Sequence, residues 1–356
     1  MRLDAHPHAQ AVLGSALAAS TPSHAYLFAG PAGSGKRAAA RDFAAELLSD
    51  GAPDPEAARA RVRTGAHVDL TWVAPSGAHE MMRGDVSEAV VAAATRTPFE
   101  SNRRVFVLER VETMNDQAAN TLLKTLEEPP SYVVLVLLAD RPGQVLPTIA
   151  SRCQVVRFDA SPPDRIAAGL SGVPDATALA CARLALGDAD RAALLASPSG
   201  QQLRASAEAL VRTGEWRPIL AAGVARAAIA RDALELARDA ELPMLPKKEQ
   251  RRTASDYDDR IKRAERRART AAIDHALQLA GLWLRDLSCV VAGAPDLAHN
   301  ADRAAELAAD AAGRSAGPLR EAMAVIEDTR VRFTLNVSED LALEALSSRL
   351  QRLLAR

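Results

Sequence analysis

The chain has 356 residues, 48% of them hydrophobic and only 3% aromatic, with 44 Lys and Arg against 45 Asp and Glu for a formal net charge of −1. That length leaves room for two or three cores, and the near-neutral balance excludes a global pull on nucleic acid or anionic membrane while permitting local basic patches. Three scattered cysteines, Cys153, Cys181 and Cys289, exclude a disulfide framework and a paired CxxC zinc site; each reads as a small buried hydrophobe in a reducing compartment.

The chain opens without a basic-then-apolar leader, and no apolar run approaches the ~18 residues that cross a bilayer. The expectation is a cytoplasmic protein with no membrane partner. Residues 7–19 (PHAQAVLGSALAA) carry apolar positions at helical spacing. HAYLFA at 24–29 is a short apolar strand that runs into GPAGSGKR at 30–37, and KRAAARDFAAELL at 36–48 is a helix. Strand, glycine-rich loop and helix in that order are the context a phosphate loop requires.

Residues 50–66 are polar and rich in Ala and Pro, and read as an insertion or connection. VDLTWVA at 68–74 suits a strand, 85–97 a helix opened by an Asp cap, and RVFVLE at 104–109 a second buried strand. A helix over 115–127 stops at Pro129 and Pro130, because proline lacks the N–H and its ring clashes with the preceding turn. YVVLVLLA at 132–139 should be a central strand, and CQVVRF at 153–158 supplies one more. Strands alternating with helices imply a parallel sheet covered on both faces, with ligands at the carboxyl ends of the strands.

After SPP at 161–163 the strand signals end and helices follow near 163–171, 175–186 and 188–196, with SPSG at 197–200 reading as a boundary. The rest is helical. The charged stretch 246–270 has a basic excess and almost no apolar periodicity, so it reads as an exposed helix or mobile connection whose bland role is a solvated face. The last two helices are amphipathic, and Leu341, Leu343, Leu346 and Leu350 need burial within a bundle or against sister subunits. The fold class is α/β with a parallel sheet, followed by two all-α parts: 1–160, 161–198 and 199–356.

Three pieces carry chemistry. In the loop, Gly30, Gly33 and Gly35 let backbone N–H groups converge on phosphate oxygens, and Lys36 adds a point charge. An active loop continues with Ser or Thr to hold magnesium, but here Arg37 stands in that place. Past the strand at 104–109, where an ATPase carries an Asp for magnesium and often a Glu to polarise water, the chain has Glu109 and then Arg110. Glu109 is a methylene longer than Asp, and Arg110 cannot accept a proton. The metal and water groups are thus degenerate, and no metal site is expected. The third piece is Arg152 in ASRCQ at 150–154, ahead of its strand and read as lying where the sheet meets the next domain; a lone surface Arg is ordinarily a solvated charge.

HAYLFAGPAGSGKR, NDQAANTLLKTLEEPP, LPTIASRCQVVRF and NVSEDLALEAL together resemble the delta-prime subunits of the bacterial DNA polymerase III clamp loader, in the AAA+ superfamily. The resemblance is strongest over 1–160 and thinner beyond. It implies a nucleotide-binding-type domain, a small helical lid and a C-terminal helical collar. It also implies gamma or tau and delta subunits as partners, with the sliding clamp and primed DNA in the assembled complex. By position Arg152 is then an arginine finger on ATP held by the adjoining subunit, a role worth about 10³ to 10⁵ in rate. No ATPase activity of the chain's own is expected; the rival reading is an active gamma/tau-type ATPase.

Many relatives bind zinc through four cysteines in the insertion after the first helix, but 50–66 has none, so no zinc is expected. His67 and Asp69, which resemble a His-x-Asp element of the family, read as structural, since a zinc site needs three or four ligands. Arg191, in GDADR at 187–191, falls near the position of a phosphate-sensing Arg in active relatives. No cofactor is required by this reading, and whether the loop holds ATP or ADP without hydrolysis stays open: the amide donors and Lys36 survive, the magnesium groups do not.

Overall fold

A computed structural model describes residues 6–19, 22–75, 80–244, 246–333 and 337–355. It divides into two compact units, one of Met1–Pro162 with Gly187–Ala189 and one of Pro163–Leu186 with Asp190–Arg356.

The N-terminal unit holds one five-stranded parallel sheet of β1 (Ala25–Ala29), β2 (Leu70–Val73), β3 (Arg104–Leu108), β4 (Val133–Ala139) and β5 (Gln154–Arg157), in the order β2-β3-β4-β1-β5. Every residue of β1 and β4 is buried, as expected for central strands covered on both faces. Side chains alternate across the sheet. Tyr26 and Phe28 face a core with Phe43 and Leu48, while Leu27 and Phe106 face another with Leu122 and Leu126. The covering helices are α1 (Pro7–Ala18), α2 (Lys36–Ser49), α3 (Pro55–Thr64), α4 (Arg83–Val86), α5 (Ala92–Ala94), α6 (Asp116–Glu127) and α7 (Pro147–Ala150).

Of the two readings of 50–66, an insertion or a connection, helix α3 sets aside only that of a structureless connection. Asp54 accepts a hydrogen bond from the Ala57 N–H, Pro55 occupies the first turn, and Gly65 closes the far end at φ 77°. These are start and stop signals of a genuine helix, and Ala58 and Val62 are its buried anchors. The helix expected at 85–97 runs instead from Arg83 to Ala94, opened at Met82 with Asp85 in its first turn accepting from the Met82 N–H, and it is irregular because a π-helical turn at Ser87–Val91 lies between α4 and α5.

The C-terminal unit is helical throughout its described residues: α8 (Pro163–Ala168), α9 (Asp175–Leu184), α10 (Ala189–Ala196), α11 (Pro198–Thr213), α12 (Arg217–Glu241), α13 (Lys247–Val291), α14 (Ala304–Ala311), α15 (Ala316–Arg332) and α16 (Glu339–Leu354). Its core gathers Leu184, Leu210, Ile273, Leu277, Trp283 and Leu343. In SPSG, Ser197 caps α11 through the Gly200 N–H, and Gly200 is buried against Leu194 and Leu195. Leu343, Leu346 and Leu350 are buried, whereas Leu341 is 67% exposed. Asn336 of NVSEDLALEAL lies outside the described residues.

The charged stretch 246–270 is no loose connection: from Lys247 onward it belongs to α13, a single helix of 45 residues that packs along α12. Tyr257 and Ile261, one helical turn apart, are buried and supply the seam that surrounding charge hides in the sequence. No helix among the described residues is long and apolar enough to cross a membrane.

Candidate functional site

The loop between β1 and α2 is built by backbone conformation. Gly33 and Gly35 take φ of +70° and +82°, the left-handed region that glycine enters without a Cβ penalty. Gly30 lies so close to Phe158 that a Cβ would fall 2.1 Å from its carbonyl oxygen. At Gly33 a Cβ would fall 2.2 Å from Asp188 Cγ, so a carboxylate-bearing residue is packed directly on the loop within the N-terminal unit.

Lys36 Nζ donates to the Pro31 carbonyl at 2.8 Å and pairs with Asp140 Oδ1 at 2.5 Å, its side chain only 6% exposed. Asp140 follows β4 directly, and β4 is the neighbour of β1, so strand order delivers this carboxylate to the loop lysine. The Asp140 N–H in turn donates to Glu112 Oε1 at 3.2 Å.

The second piece forms around Glu109. Arg37 Nε lies 2.7 Å from Glu109 Oε1, and Trp72 Nε1 donates to the same oxygen at 2.5 Å. The guanidinium groups of Arg37 and Arg41 lie 6.0 and 5.1 Å from the Trp72 ring centroid, within range of a cation–π attraction. Glu109 is therefore tied by a cation and an indole N–H, and Arg37 occupies the place where a hydroxyl would meet magnesium. Arg110 takes φ 54° and ψ 48°, rare for a non-glycine residue; its carbonyl accepts from Thr113 N–H and Oγ1 at 2.9 and 2.7 Å. Among the described residues no group of three or more His, Cys, Asp and Glu is placed to hold a metal ion.

Arg152 sits in the turn between α7 and β5, its side chain 37% exposed, with Nη2 2.7 Å from Glu127 Oε1 and Nη1 donating to the Thr148 carbonyl at 2.9 Å. Because β5 runs parallel to β1 with Tyr26 opposite Gln154, Arg152 lies level with the start of β1, while the phosphate loop lies past its end. Six residues at ~3.3 Å rise put about 20 Å between the two levels. Arg152 is thus at the opposite end of the sheet from the chain's own loop. Burial pushes the thiol of its neighbour Cys153 up to about 12.

His67 and Asp69 are brought together for support. Asp69 accepts from the N–H groups of Phe99, Glu100 and Ser101 at 2.7, 2.9 and 3.1 Å. The Asp69 N–H donates to His67 Nδ1 at 3.1 Å, which leaves the ring proton on Nε2, close to Glu100 Oε1 at 3.0 Å though poorly aligned with it. Burial holds the His67 pKa below its ordinary value. Arg191 donates to Gln278 Oε1 at 2.7 Å within the C-terminal unit. Sequence reasoning missed Asp140, Trp72 and Asp188; for Asp140 the available signal was its position immediately after the most apolar strand.

Residues 5–162 match the family described as DNA polymerase III, delta subunit. The match falls within the N-terminal unit and spans less than half of the chain. The chain is 39% identical over 155 residues to the DNA polymerase III subunit delta' of Pseudomonas aeruginosa, covering 42% of this chain and 47% of that protein. Against the delta' subunit of Bacillus subtilis it is 34% identical over 164 residues, covering 45% and 49%. The tau subunit of Bacillus subtilis is also 34% identical, over 160 residues, covering 43% of this chain and 27% of that one. The chain spans about half the length of the delta' relatives it matches. A gamma subunit-related protein of DNA polymerase III from Thermotoga maritima superposes over 98% of this chain and 99% of its own, with a TM-score of 0.52 at 16% identity. That likeness is one of fold: an α/β domain with a parallel sheet followed by a helical part.

Proposed function

We propose that this chain is a non-hydrolysing subunit of the delta-prime kind in a DNA polymerase III clamp loader, supporting ATP turnover in a neighbouring gamma/tau-type subunit while a sliding clamp is placed on primed DNA. The observation that carries the reading is the separation of Arg152 from the chain's own loop. A guanidinium about 20 Å along the strands from its own phosphate loop cannot reach a nucleotide held there, yet it stands at the surface, held by Glu127. A cation presented in this way suits a transferring phosphate on another subunit, where it stabilises charge developing in the transition state.

The chain's own loop takes the complementary part. With Arg37 on Glu109 and Asp140 on Lys36, the groups that would meet magnesium and phosphate already have internal partners, so hydrolysis here has neither a metal ligand set nor a free base. Nucleotide, if held, is held weakly and without turnover.

Reconstitution with the partner subunits and clamp tests this. Arg152→Ala should leave the chain folded and lower the ATPase and clamp-loading rate of the complex about tenfold or more; an unchanged rate removes Arg152 from the mechanism. The second reading, an active gamma/tau-type ATPase, draws on retained Lys36 and on the match to the tau subunit. It requires magnesium-dependent ATPase of the purified chain that Lys36→Ala abolishes.

A further inference from the structure

The first half of α13 carries a stripe of cations that the loop chemistry leaves unused. At 100° per residue, Lys247, Lys248, Arg251, Lys262 and Arg266 fall within an arc of about 100°, and all five are exposed. Tyr257 and Ile261, which are buried, lie outside this arc, whereas the acids Asp258 and Glu265 fall within it. None of the five cations forms an ion pair among the described residues.

Those two acids are drawn to α12. Asp258 is 3.5 Å from Arg238 and Glu265 is 3.4 Å from Arg231, both arginines belonging to α12. Arg263 turns to the Asp259 carbonyl at 3.0 Å. The packing of α12 on α13 thus neutralises acids of α13 and leaves its cations facing water. Between Lys247 and Arg266 the helix rises about 28 Å, so the charge is spread along a line rather than gathered at a point.

We propose that this stripe is a sequence-independent contact for the phosphate backbone of duplex DNA. Over such a length a duplex presents one negative charge per ~1.7 Å of axis, a repeating polyanion that matches an extended row of Lys and Arg. A membrane surface fits less well, because interfacial helices pair their cations with an exposed apolar face and the large apolar residues of this segment, Tyr257 and Ile261, are buried. The proposal rests on the replication reading only for the choice of duplex DNA as the polyanion.

The test uses the full chain alone, with a fluorescein-labelled duplex of about 20 base pairs and anisotropy read between 50 and 200 mM salt. Binding should weaken with salt at a log–log slope of about −3 to −5, as for three to five neutralised phosphates. Lys262→Glu with Arg266→Glu should lower the affinity at least tenfold and flatten the slope by about 2, and Lys247→Glu with Lys248→Glu should do the same should the first pair unfold. Absent binding at 50 mM salt, equal affinity in folded variants, or binding to phosphatidylserine vesicles but not to DNA overturns the proposal. Partner subunits are absent from the assay, so its failure leaves the role of Arg152 standing and is distinguishable from failure of that reading.

Discussion

Lys36 of the phosphate loop and Asp140 at the end of β4 form an ion pair of 2.5 Å, with the lysine almost wholly buried. A loop lysine serves phosphate only when it can turn toward it, and this one has a carboxylate and the Pro31 carbonyl as resident acceptors. Lys36→Ala strips both acceptors of their donor and leaves a partly buried carboxylate unpaired. The expected cost is about 1–3 kcal/mol of stability by urea titration, with the ATPase of the reconstituted complex changing far less than in Arg152→Ala. A larger kinetic than structural effect would return the loop to service as a working site.

Gly33 makes a sharper structural prediction, because an added Cβ would lie 2.1 Å from the Cα of Asp188. Backbone cannot rotate away as a side-chain tip can, and the residue also sits at φ +70°. Gly33→Ala should therefore cost about 2–4 kcal/mol, combining left-handed strain with the clash. Gly172→Ala is the control: its φ is +76° but nothing lies within 4 Å, so about 1 kcal/mol is expected from strain alone. Equal losses at the two sites would show that the 187–189 segment does not rest on the loop.

The contrast between loop and partners explains what the sequence could disclose. The shape of the loop at 30–37 was legible because its information is local: an apolar strand, glycines where φ must be positive, then a helix. Asp140 and Trp72 were not, because they reach Lys36 and Glu109 only through strand order, across 104 and 37 residues of chain. Helix α3 was hidden differently. Its Asp54 and Pro55 are good opening signals and its Arg, Glu and Ala are good helix formers, but its buried face is only Ala58 and Val62, too few apolar positions for a period to show. In α13 the apolar seam narrows to Tyr257 and Ile261 amid charge, too sparse a signal for periodicity to show.

Asp69 should behave as a brace. Its carboxylate holds the backbone N–H groups of Phe99, Glu100 and Ser101 and is itself 1% exposed as a residue. Removing an acceptor that satisfies several buried donors costs more than one ordinary hydrogen bond. Asp69→Ala should lose about 3 kcal/mol and speed amide hydrogen exchange at residues 99–101. Asp69→Asn, which keeps one acceptor oxygen, should lose less. Zinc should protect neither variant nor the native chain from thermal unfolding, since the pair His67 and Asp69 is spent on support.

His275 on α13 gives the clearest pH signature. Burial, with help from Arg191, lowers its pKa to about 4, and its Nε2 is buried without a hydrogen-bond partner. An unfolded histidine titrates near 6.5, so between those values the unfolded chain takes up a proton that the folded chain refuses. Linkage then fixes the sign: the contribution is fully present above pH 6.5 and is lost as the pH falls toward 4. The size is up to about 3 kcal/mol from a shift of roughly 2.5 units. His275→Leu removes the titration, so the stability difference between native and variant proteins should move by that amount, in the variant's favour, between pH 7 and pH 4. His67 and His299, also lowered by burial, are present in both proteins and cancel in the difference. Parallel stability curves for the two would mean that His275 accepts its proton in the folded state as readily as in the unfolded one.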